Sequence, residues 1–296
     1  MKFYFILVFC FLCNLSVFGQ ISALNSTDGS ILITPRGLKG KTNNCVSLGE
    51  NALFSNTTGI GNTAIGNFSL SLNTTGNYNT ANGSSALNSN TIGYANTAYG
   101  YDALKSNTTG STNTANGVEA LKANTTGYNN TANGCFVLNT NTTGYNNTAT
   151  GFLSLQSNTI GSVNTANGVE ALKSNTTGSD NTAIGAYTLN NNTTGGGNTA
   201  NGIRSLQSNI SGYSNTASGV DALRQNTTGY NNTAIGTFAL RSNTIGDSNV
   251  AIGQSALFSN ANNSGSVAIG FQSMSNADSR TTGIYKLRPI LQQGFN

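Results

Sequence analysis

Hydrophobic and polar positions along most of the chain repeat with a period of 17 residues, without insertion. The fifth residue of every copy is glycine, the ninth is leucine in thirteen copies, and the twelfth is asparagine in thirteen copies. A fixed period without insertions is typical of a unit that stacks on its predecessor. The fourteen copies begin at Cys45, Asn62, Asn79, Asn96, Asn113, Asn130, Asn147, Asn164, Asn181, Asn198, Asn215, Asn232, Asn249 and Ser266.

Each copy predicts one coil of a parallel β-solenoid. Seventeen residues are too few for the two helices of a ~33–34-residue repeat, and Asn, Thr and Gly are poor helix formers. Seventeen residues do suffice for two or three short strands joined by glycine turns. At ~4.8 Å per coil, fourteen coils would form a rod about 65 Å long. We therefore expect an all-β fold over residues 45–277.

Alternation along each copy assigns its side chains to two faces. In the copy that begins at Asn62, the small residues Ala64 and Gly66 are expected in a narrow interior, and Thr63 and Ile65 on the outer face. The leucines supply an apolar column, and the twelfth-position asparagines predict an amide ladder that satisfies turn backbone groups. Charged residues at the seventh position break the alternation, which favours a corner there.

The segments outside the repeat differ in composition. Residues 1–19 combine a lysine, an apolar run and a final glycine, which predicts a signal peptide and a secreted or cell-surface protein, with a short membrane anchor as the alternative. Nothing later predicts a membrane-spanning segment. Residues 20–44 and 278–296 each have net charge +2 and an apolar stretch, which is typical of caps over end coils. The second segment is alternatively a docking tail.

Composition argues against most enzyme chemistry. Charged residues make up 7% of the chain, against roughly 25% in ordinary domains. Because the chain has no histidine, Ser-His-Asp and Cys-His nucleophiles and His-ligated metals are excluded. Asp102 and Glu119, at the same position of successive copies, leave a carboxylate-based polysaccharide enzyme as an alternative. Our expectation is a protein that is not an enzyme, with no cofactor and no metal.

Acidic residues at the seventh position are followed by basic residues at the tenth. Residues 45–277 hold seven acidic and six basic side chains, a net charge of −1. This pattern favours compensated surface pairs over a charged stripe for a partner, and it offers no basic stripe for nucleic acid. The pairs are Asp102 with Lys105, Glu119 with Lys122, Glu170 with Lys173, and Asp221 with Arg224.

Tyrosines recur at the sixteenth position, and four of them fall in two pairs of successive copies. Stacked, exposed rings could bind sugar rings or a partner surface, and a simple stacking ladder is the alternative. The candidate surface-binding residues are Tyr94, Tyr128, Tyr145, Tyr213 and Tyr230.

Two other residue types suggest modification or cross-linking. Asparagines in Asn-x-Ser/Thr sequons are possible glycosylation sites in a eukaryotic secretory pathway, and turn residues in a bacterium. Cys45 and Cys135 would lie about 25 Å apart along a regular rod, too far for a disulfide. The sequon candidates are Asn56, Asn73, Asn107 and Asn124.

The phrases Val-Ala-Ile-Gly after Asn249 and Ser266, and Val-Ser-Leu-Gly after Cys45, resemble the head repeats of YadA-like trimeric autotransporter adhesins. The longer Asn-Thr-Ala-Ile-Gly phrase also looks like repeats of tail fibres and bacterial surface proteins. The resemblance implies a left-handed β-roll, a homotrimer, and binding to host or matrix surfaces. In the middle copies Asn116 and Asn167 replace isoleucine, so a trimer face would be polar there. The candidate trimer-face residues are Val46, Ile65, Ile184, Ile235, Val250, Ile252, Val267 and Ile269.

These observations favour a secreted, non-enzymatic structural or adhesive rod that contacts a cell, matrix or glycan surface through its repeated lateral face. The main alternative is an ice- or crystal-binding solenoid, because Thr63, Thr80, Thr97 and Thr114 recur at the regular spacing of a coil.

Overall fold

A computed structural model, which describes residues 44–276, confirms the parallel β-solenoid. Each coil contains one three-residue strand, not the two or three strands predicted, because tight corners occupy the rest of the unit. The signal-peptide segment and both cap segments lie outside the described residues, except for Asn44. In chain order, β1 to β14 are Val46–Leu48, Thr63–Ile65, Thr80–Asn82, Thr97–Tyr99, Thr114–Asn116, Thr131–Asn133, Thr148–Thr150, Thr165–Asn167, Thr182–Ile184, Thr199–Asn201, Thr216–Ser218, Thr233–Ile235, Val250–Ile252 and Val267–Ile269.

The strands form one parallel sheet in chain order, each paired with the next in the register of the repeat. Thr114 lies opposite Thr131, and Ala115 lies opposite Ala132. Fourteen strands make thirteen steps, which at ~4.8 Å each give a rod about 62 Å long. Each strand contacts only its sequence neighbours. The left-handed sense of the coil stays a prediction.

The core is a narrow column of third-position alanines and ninth-position leucines. Leu155 is fully buried, and its φ of 50° lies in the left-handed region. Two residues earlier, at the seventh position of the same coil, Leu153 also has a left-handed φ, of 59°. The corner predicted at the seventh position is therefore confirmed. A left-handed non-glycine residue costs about 1–2 kcal/mol, and burial of a leucine, at about 1.5–3 kcal/mol, offsets that cost.

The twelfth-position asparagines form the predicted amide ladder inside the rod. Asn158 Nδ2 donates to Asn141 Oδ1 of the preceding coil at 2.8 Å and to the carbonyl of Gly161 at 2.8 Å. Asn175 Nδ2 donates in turn to Asn158 Oδ1 at 2.8 Å. Both amide hydrogens of each rung are thus used within a core that excludes water.

A second amide ladder, which the sequence analysis did not predict, runs along the first position. Asn147 donates to Asn130 Oδ1 from its backbone nitrogen at 3.0 Å and from Nδ2 at 3.1 Å. Its Nδ2 also donates to the carbonyl of Gly161 at 2.9 Å. The carbonyl of Gly161 therefore accepts from both ladders and links them within each coil.

Both ladders change at the ends of the described rod. In the first coil Cys45 replaces asparagine, and its Sγ accepts from the backbone nitrogen of Asn62 at 3.4 Å. Near the other end Asn263 stands where other coils have glycine, and Asn260 Nδ2 donates to the Asn263 carbonyl at 3.3 Å. The buried Oδ1 of Asn243 accepts no hydrogen bond. The twelfth-position ladder therefore ends at the coil in which Asn263 replaces glycine.

The fifth-position glycines are not part of a narrow interior, which corrects the prediction. Gly117 is partly exposed, with φ at +140°. A Cβ on Gly117 would lie 2.3 Å from the carbonyl oxygen of Gly134 in the next coil. Glycine is needed because successive coils approach too closely there for a side chain and because this φ disfavours any other residue.

Candidate functional site

The interior holds mainly apolar groups and the two amide ladders, so candidate binding chemistry lies on the outer columns. No group of three or more His, Cys, Asp or Glu side chains within residues 44–276 could hold a metal ion. Of the columns that carry exposed side chains, three are candidate binding surfaces. We call the sixteenth position the tyrosine column, the second and fourth positions the sheet face, and the sixth position from Tyr101 to Val220 the apolar stripe.

The tyrosine column contains the predicted stacked rings. Tyr128 and Tyr145 have ring centroids 5.0 Å apart and planes within 3°. Tyr213 and Tyr230 repeat this geometry, at 4.9 Å and 4°. Tyr94 is exposed in the same column, two coils before Tyr128. The stacking prediction is thus confirmed for both pairs, and the centroid distance matches one coil step.

Local backbone geometry keeps this column in line. The residue after each column position adopts a left-handed conformation, as Asn129 does with φ at 55°. Its nitrogen donates to the carbonyl of the column residue one coil earlier, as from Asn129 to Ser111 at 3.1 Å. Beside the rings, the Thr112 hydroxyl is hydrogen-bonded to Asn129, and Asn129 Nδ2 donates to Asn146 Oδ1 at 3.2 Å. Uncharged polar groups therefore border the aromatic rings.

Two buried serines flank the first tyrosine pair. Ser111 Oγ accepts from the Tyr94 nitrogen at 3.1 Å and donates to the carbonyl of Thr109 at 3.3 Å. Ser162 Oγ, on the far side of Tyr145, accepts from the Tyr145 nitrogen at 3.1 Å and donates to the carbonyl of Ile160 at 3.2 Å. Both serines are part of the column, so the ring stack stops at each of them.

The second tyrosine pair ends against an acidic residue. A hydrogen bond with Asp247 raises the pKa of Tyr230, and the Asp247 charge raises it further. The pKa of Asp247 is lowered, first by the Ser264 hydroxyl and then by Tyr230. The backbone nitrogen of Asp247 also donates to Ser264 Oγ at 3.0 Å. The two pairs therefore have different chemical neighbours.

The predicted trimer-face residues all lie on the sheet face. Val46, Ile184, Ile235, Val267 and Ile269 are exposed, and the other three are partly buried. They gather in β1 and β2 at one end and β12 to β14 at the other, with a single isoleucine in β9. Strands β5 to β8 carry only Thr and Asn there, all exposed. The structure thus brings together two apolar end patches separated by a polar middle.

The predicted charge pairs form, with further partners in neighbouring coils. Lys105 and Lys122 both lie near Asp102 Oδ2, at 3.0 and 3.5 Å, and Lys122 also pairs with Glu119 at 3.1 Å. The hydrogen bond with Glu119 is the main cause of the raised pKa of Lys122. Lys173 pairs with its own partner at 3.2 Å. Both carboxylates of the enzyme alternative are therefore held in ion pairs.

Asp221 is the most heavily paired of these acids. Its carboxylate is buried, as is that of Asp102, which corrects the expectation of surface pairs for these two acids. Arg204 of the preceding coil donates to Asp221 from Nε at 2.7 Å and from an Nη at 3.2 Å, in a bidentate arrangement. The predicted partner Arg224 lies 3.7 Å away, and Arg241 of the next coil lies 3.9 Å away. Alignment of copies in register could have revealed the cross-coil partners.

The sequence analysis missed the apolar stripe. Tabulating the sixth position copy by copy would have found it, because eight successive copies carry an apolar residue there. All are exposed except Ala186, which is partly exposed. The stripe consists of Tyr101, Val118, Cys135, Phe152, Val169, Ala186, Ile203 and Val220. Exposed apolar surface of this kind is typical of an interaction site.

The four predicted glycosylation sites lie in the twelfth-position ladder. Asn73, Asn107 and Asn124 are fully buried, and Asn56 is nearly so. The nitrogen that would carry a glycan donates instead to an interior carbonyl, as from Asn107 to Gly110 at 2.9 Å. A glycan on any of the four is incompatible with this coil, because neighbouring coils occupy the space.

Cys45 and Cys135 are not joined by a disulfide. Among residues 44–276, no helix is long and apolar enough to cross a membrane. The chain matches no family model, no curated protein and no solved structure.

Proposed function

We propose that this protein is a secreted, non-enzymatic structural or adhesive rod that contacts a cell or matrix surface through its tyrosine column. The observation that carries the proposal is the recurrence of two stacked tyrosine pairs on one side of a closed core. Tyr128, Tyr145 and Tyr213 are exposed, and Tyr230 is half-buried. Tyrosines offer a large contact area together with a hydrogen-bonding hydroxyl, and they lose little side-chain entropy on binding. The proposal places the protein outside the cell and assigns it no nucleic-acid partner.

The arrangement of the coil supports a role in display. The ladder asparagines hydrogen-bond to their own coil or its neighbours, and alanine and leucine side chains fill the rest of the core. The buried acids Asp102 and Asp221 pair with basic side chains, which stabilises the coil and removes them from acid–base work. The outward residues vary from coil to coil while the interior repeats.

The test is binding of purified rod to whole cells, to extracellular-matrix proteins and to a glycan array. A variant that replaces Tyr128, Tyr145, Tyr213 and Tyr230 with serine should keep the fold, because serine occupies this column in other coils. We expect it to lose at least about tenfold in affinity, or about 1.4 kcal/mol. The control variant replaces Tyr101 and Tyr187, which lie outside the tyrosine column, with serine. Equal binding by wild type and the column variant would overturn the proposal.

We further propose that the rod assembles as a homotrimer through the two apolar end patches of the sheet face. Exposed Val and Ile side chains in β1, β12 and β14 support this assembly, since burial would remove their apolar surface from water. The polar strands between them would contribute hydrogen bonds or enclose water.

A second candidate function is binding to ice or another crystal surface, and the middle of the sheet face favours it. Thr114, Thr131, Thr148 and Thr165 are all exposed and lie opposite one another in a regular row. A second row of Asn and Thr runs beside them at the fourth position. Thermal hysteresis of the purified rod tests this function, and a Thr131→Lys and Thr148→Lys variant should abolish any hysteresis present.

A further inference from the structure

The tyrosine column has a gap one coil wide between Tyr94 and Tyr128. Tyr128 and Tyr145 stack at 5.0 Å, and Tyr213 and Tyr230 repeat that step at 4.9 Å. Tyr94 occupies the same column two coils before Tyr128. Their column positions are two coil steps, about 10 Å, apart, and one coil lies between them.

A small residue occupies the column in the intervening coil. Ser111 is nine-tenths buried, and its hydroxyl bonds to backbone groups of Tyr94 and Thr109. It therefore lies at the base of the gap. Tyr94 and Tyr128 occupy the column positions on either side of Ser111, and both side chains are exposed. No other pair of tyrosines in the described column is separated by a single coil.

Uncharged hydrogen-bonding groups border the gap. Thr109 is exposed two residues before Ser111. On the other side Thr112 is exposed and hydrogen-bonded to Asn129, which continues to Asn146. None of these groups is charged, and the column has no Lys or Arg. The rim therefore suits hydroxyl groups better than phosphates or carboxylates.

We propose that Tyr94, Ser111 and Tyr128 form a binding slot for one pyranose ring of a neutral glycan, with Thr109 and Asn129 available to its hydroxyls. A pyranose has two faces lined by C–H groups, which pack on aromatic rings, and an edge of hydroxyls, which hydrogen-bond to Thr and Asn. A nucleotide would bring a phosphate for which the slot has no cation. The proposal rests on the proposed function in that both place a ligand on the tyrosine column.

The chain offers a matched pair of substitutions for the test. Ser111→Tyr fills the slot and would continue the ring stack. Ser162→Tyr extends the same stack beyond Tyr145 but leaves the slot open. The two serines make equivalent hydrogen bonds, so both substitutions remove the same contacts. Tyr94→Ser removes one flanking tyrosine, and serine is native to the column.

The probes are neutral cello-, chito-, manno- and malto-oligosaccharides, with affinity measured by calorimetry and by tyrosine fluorescence on the same samples. We expect wild type to bind at least one of these series. Ser111→Tyr and Tyr94→Ser should each weaken that binding by at least about tenfold, and Ser162→Tyr should leave it within about twofold. Circular dichroism and denaturation midpoints establish that each variant is folded.

Three results would overturn the slot. The first is that the wild type binds none of the probes, and the second is that Ser111→Tyr binds as the wild type does. The third is an equal loss of oligosaccharide affinity in Ser111→Tyr and Ser162→Tyr. Cell and matrix adhesion of Ser111→Tyr separates the two proposals. Loss of sugar binding with retained adhesion supports the slot and assigns adhesion to other parts of the column. Sugar binding by a wild-type rod that adheres to no cell or matrix would refute the adhesive role alone.

Discussion

Asn158 Nδ2 donates to Asn141 Oδ1 at 2.8 Å, across the boundary between two coils. Asn158→Ala would leave Asn141 Oδ1 and one hydrogen of Asn175 Nδ2 buried without partners. We expect a loss of about 2–5 kcal/mol in the free energy of unfolding. Urea denaturation measures it.

The control for this substitution is Asn167→Ala on the exposed sheet face. It should change stability by no more than about 0.5 kcal/mol. Equal effects of the two alanine substitutions would show that the ladder contributes nothing beyond ordinary surface asparagines.

Leu155 combines complete burial with a left-handed backbone. Leu155→Ala should destabilise the rod by about 2–5 kcal/mol, because a narrow column has few side chains that can fill the cavity. Leu155→Gly relieves the strain of the left-handed backbone but removes the same side-chain contacts, so this variant should be no more stable than the wild type. Thermal or urea denaturation of the two variants decides this, and a stabilised glycine variant would mean that strain outweighs burial.

Asp221 lies buried among three arginines, whereas Glu170 is partly exposed and pairs with one lysine. Asp221→Asn should cost about 1.5–3 kcal/mol, because it removes the charge of the buried group that accepts two hydrogen bonds from Arg204. Glu170→Gln should cost about 0–1 kcal/mol. Denaturation midpoints of both variants test this contrast, and similar losses would contradict it.

The pair Tyr230 and Asp247 gives the rod a pH dependence at both extremes. The raised pKa of Tyr230 contributes stability that is present below about pH 10 and is lost as pH rises through the higher folded value. The lowered pKa of Asp247 contributes stability that is present above about pH 4 and is lost as pH falls through the lower folded value.

Asp247→Asn should lower the pKa of Tyr230 toward its ordinary value, since it removes both the carboxylate acceptor and its charge. Tyrosinate absorbance during an alkaline titration measures the change. Asp180→Asn removes one charge elsewhere and is the control. An unchanged titration of Asp247→Asn would contradict the contact.

The homotrimer proposal predicts which apolar residues set the solution mass. Ile252→Asn together with Ile269→Asn should convert a trimer to a monomer in light scattering after size exclusion. Asn occupies the fourth position natively in five strands, so the fold should persist. Val169→Asn with Ile203→Asn, on the apolar stripe, is the control. A monomeric wild type, or a mass change in the control alone, would refute assembly through the sheet face.

Much of the fold could be predicted because the repeat isolates each structural role. Leu155 and Asn158 belong to columns of nearly constant identity, and a constant residue in a stacked unit indicates a constant environment. The second ladder was missed because Asn147 precedes a strand, where alternation along the strand says nothing about a side chain at its boundary. Gly117 was misassigned because small size suits both an interior and a close approach between coils, and only coordinates distinguish the two.

The site was harder to predict, because outward residues vary from copy to copy. The stacking of Tyr128 on Tyr145 followed from their shared column. The burial of Asp221 did not, since its arginine partners lie in three different coils. The gap at Ser111 could not be predicted, because it is defined by the distance between stacked tyrosine rings, which only the structure gives.

Because each strand contacts only its sequence neighbours, an in-frame duplication or deletion of one unit would change the length of the rod by one step and leave all coils except those that border it unaltered. Recombination between near-identical units, such as those that begin at Asn113 and Asn164, would add or remove three whole coils in register. It would also add or remove whole rungs of the surface columns. The gene can thereby vary reach and ligand pattern in units of one coil, while selection on the core stays the same.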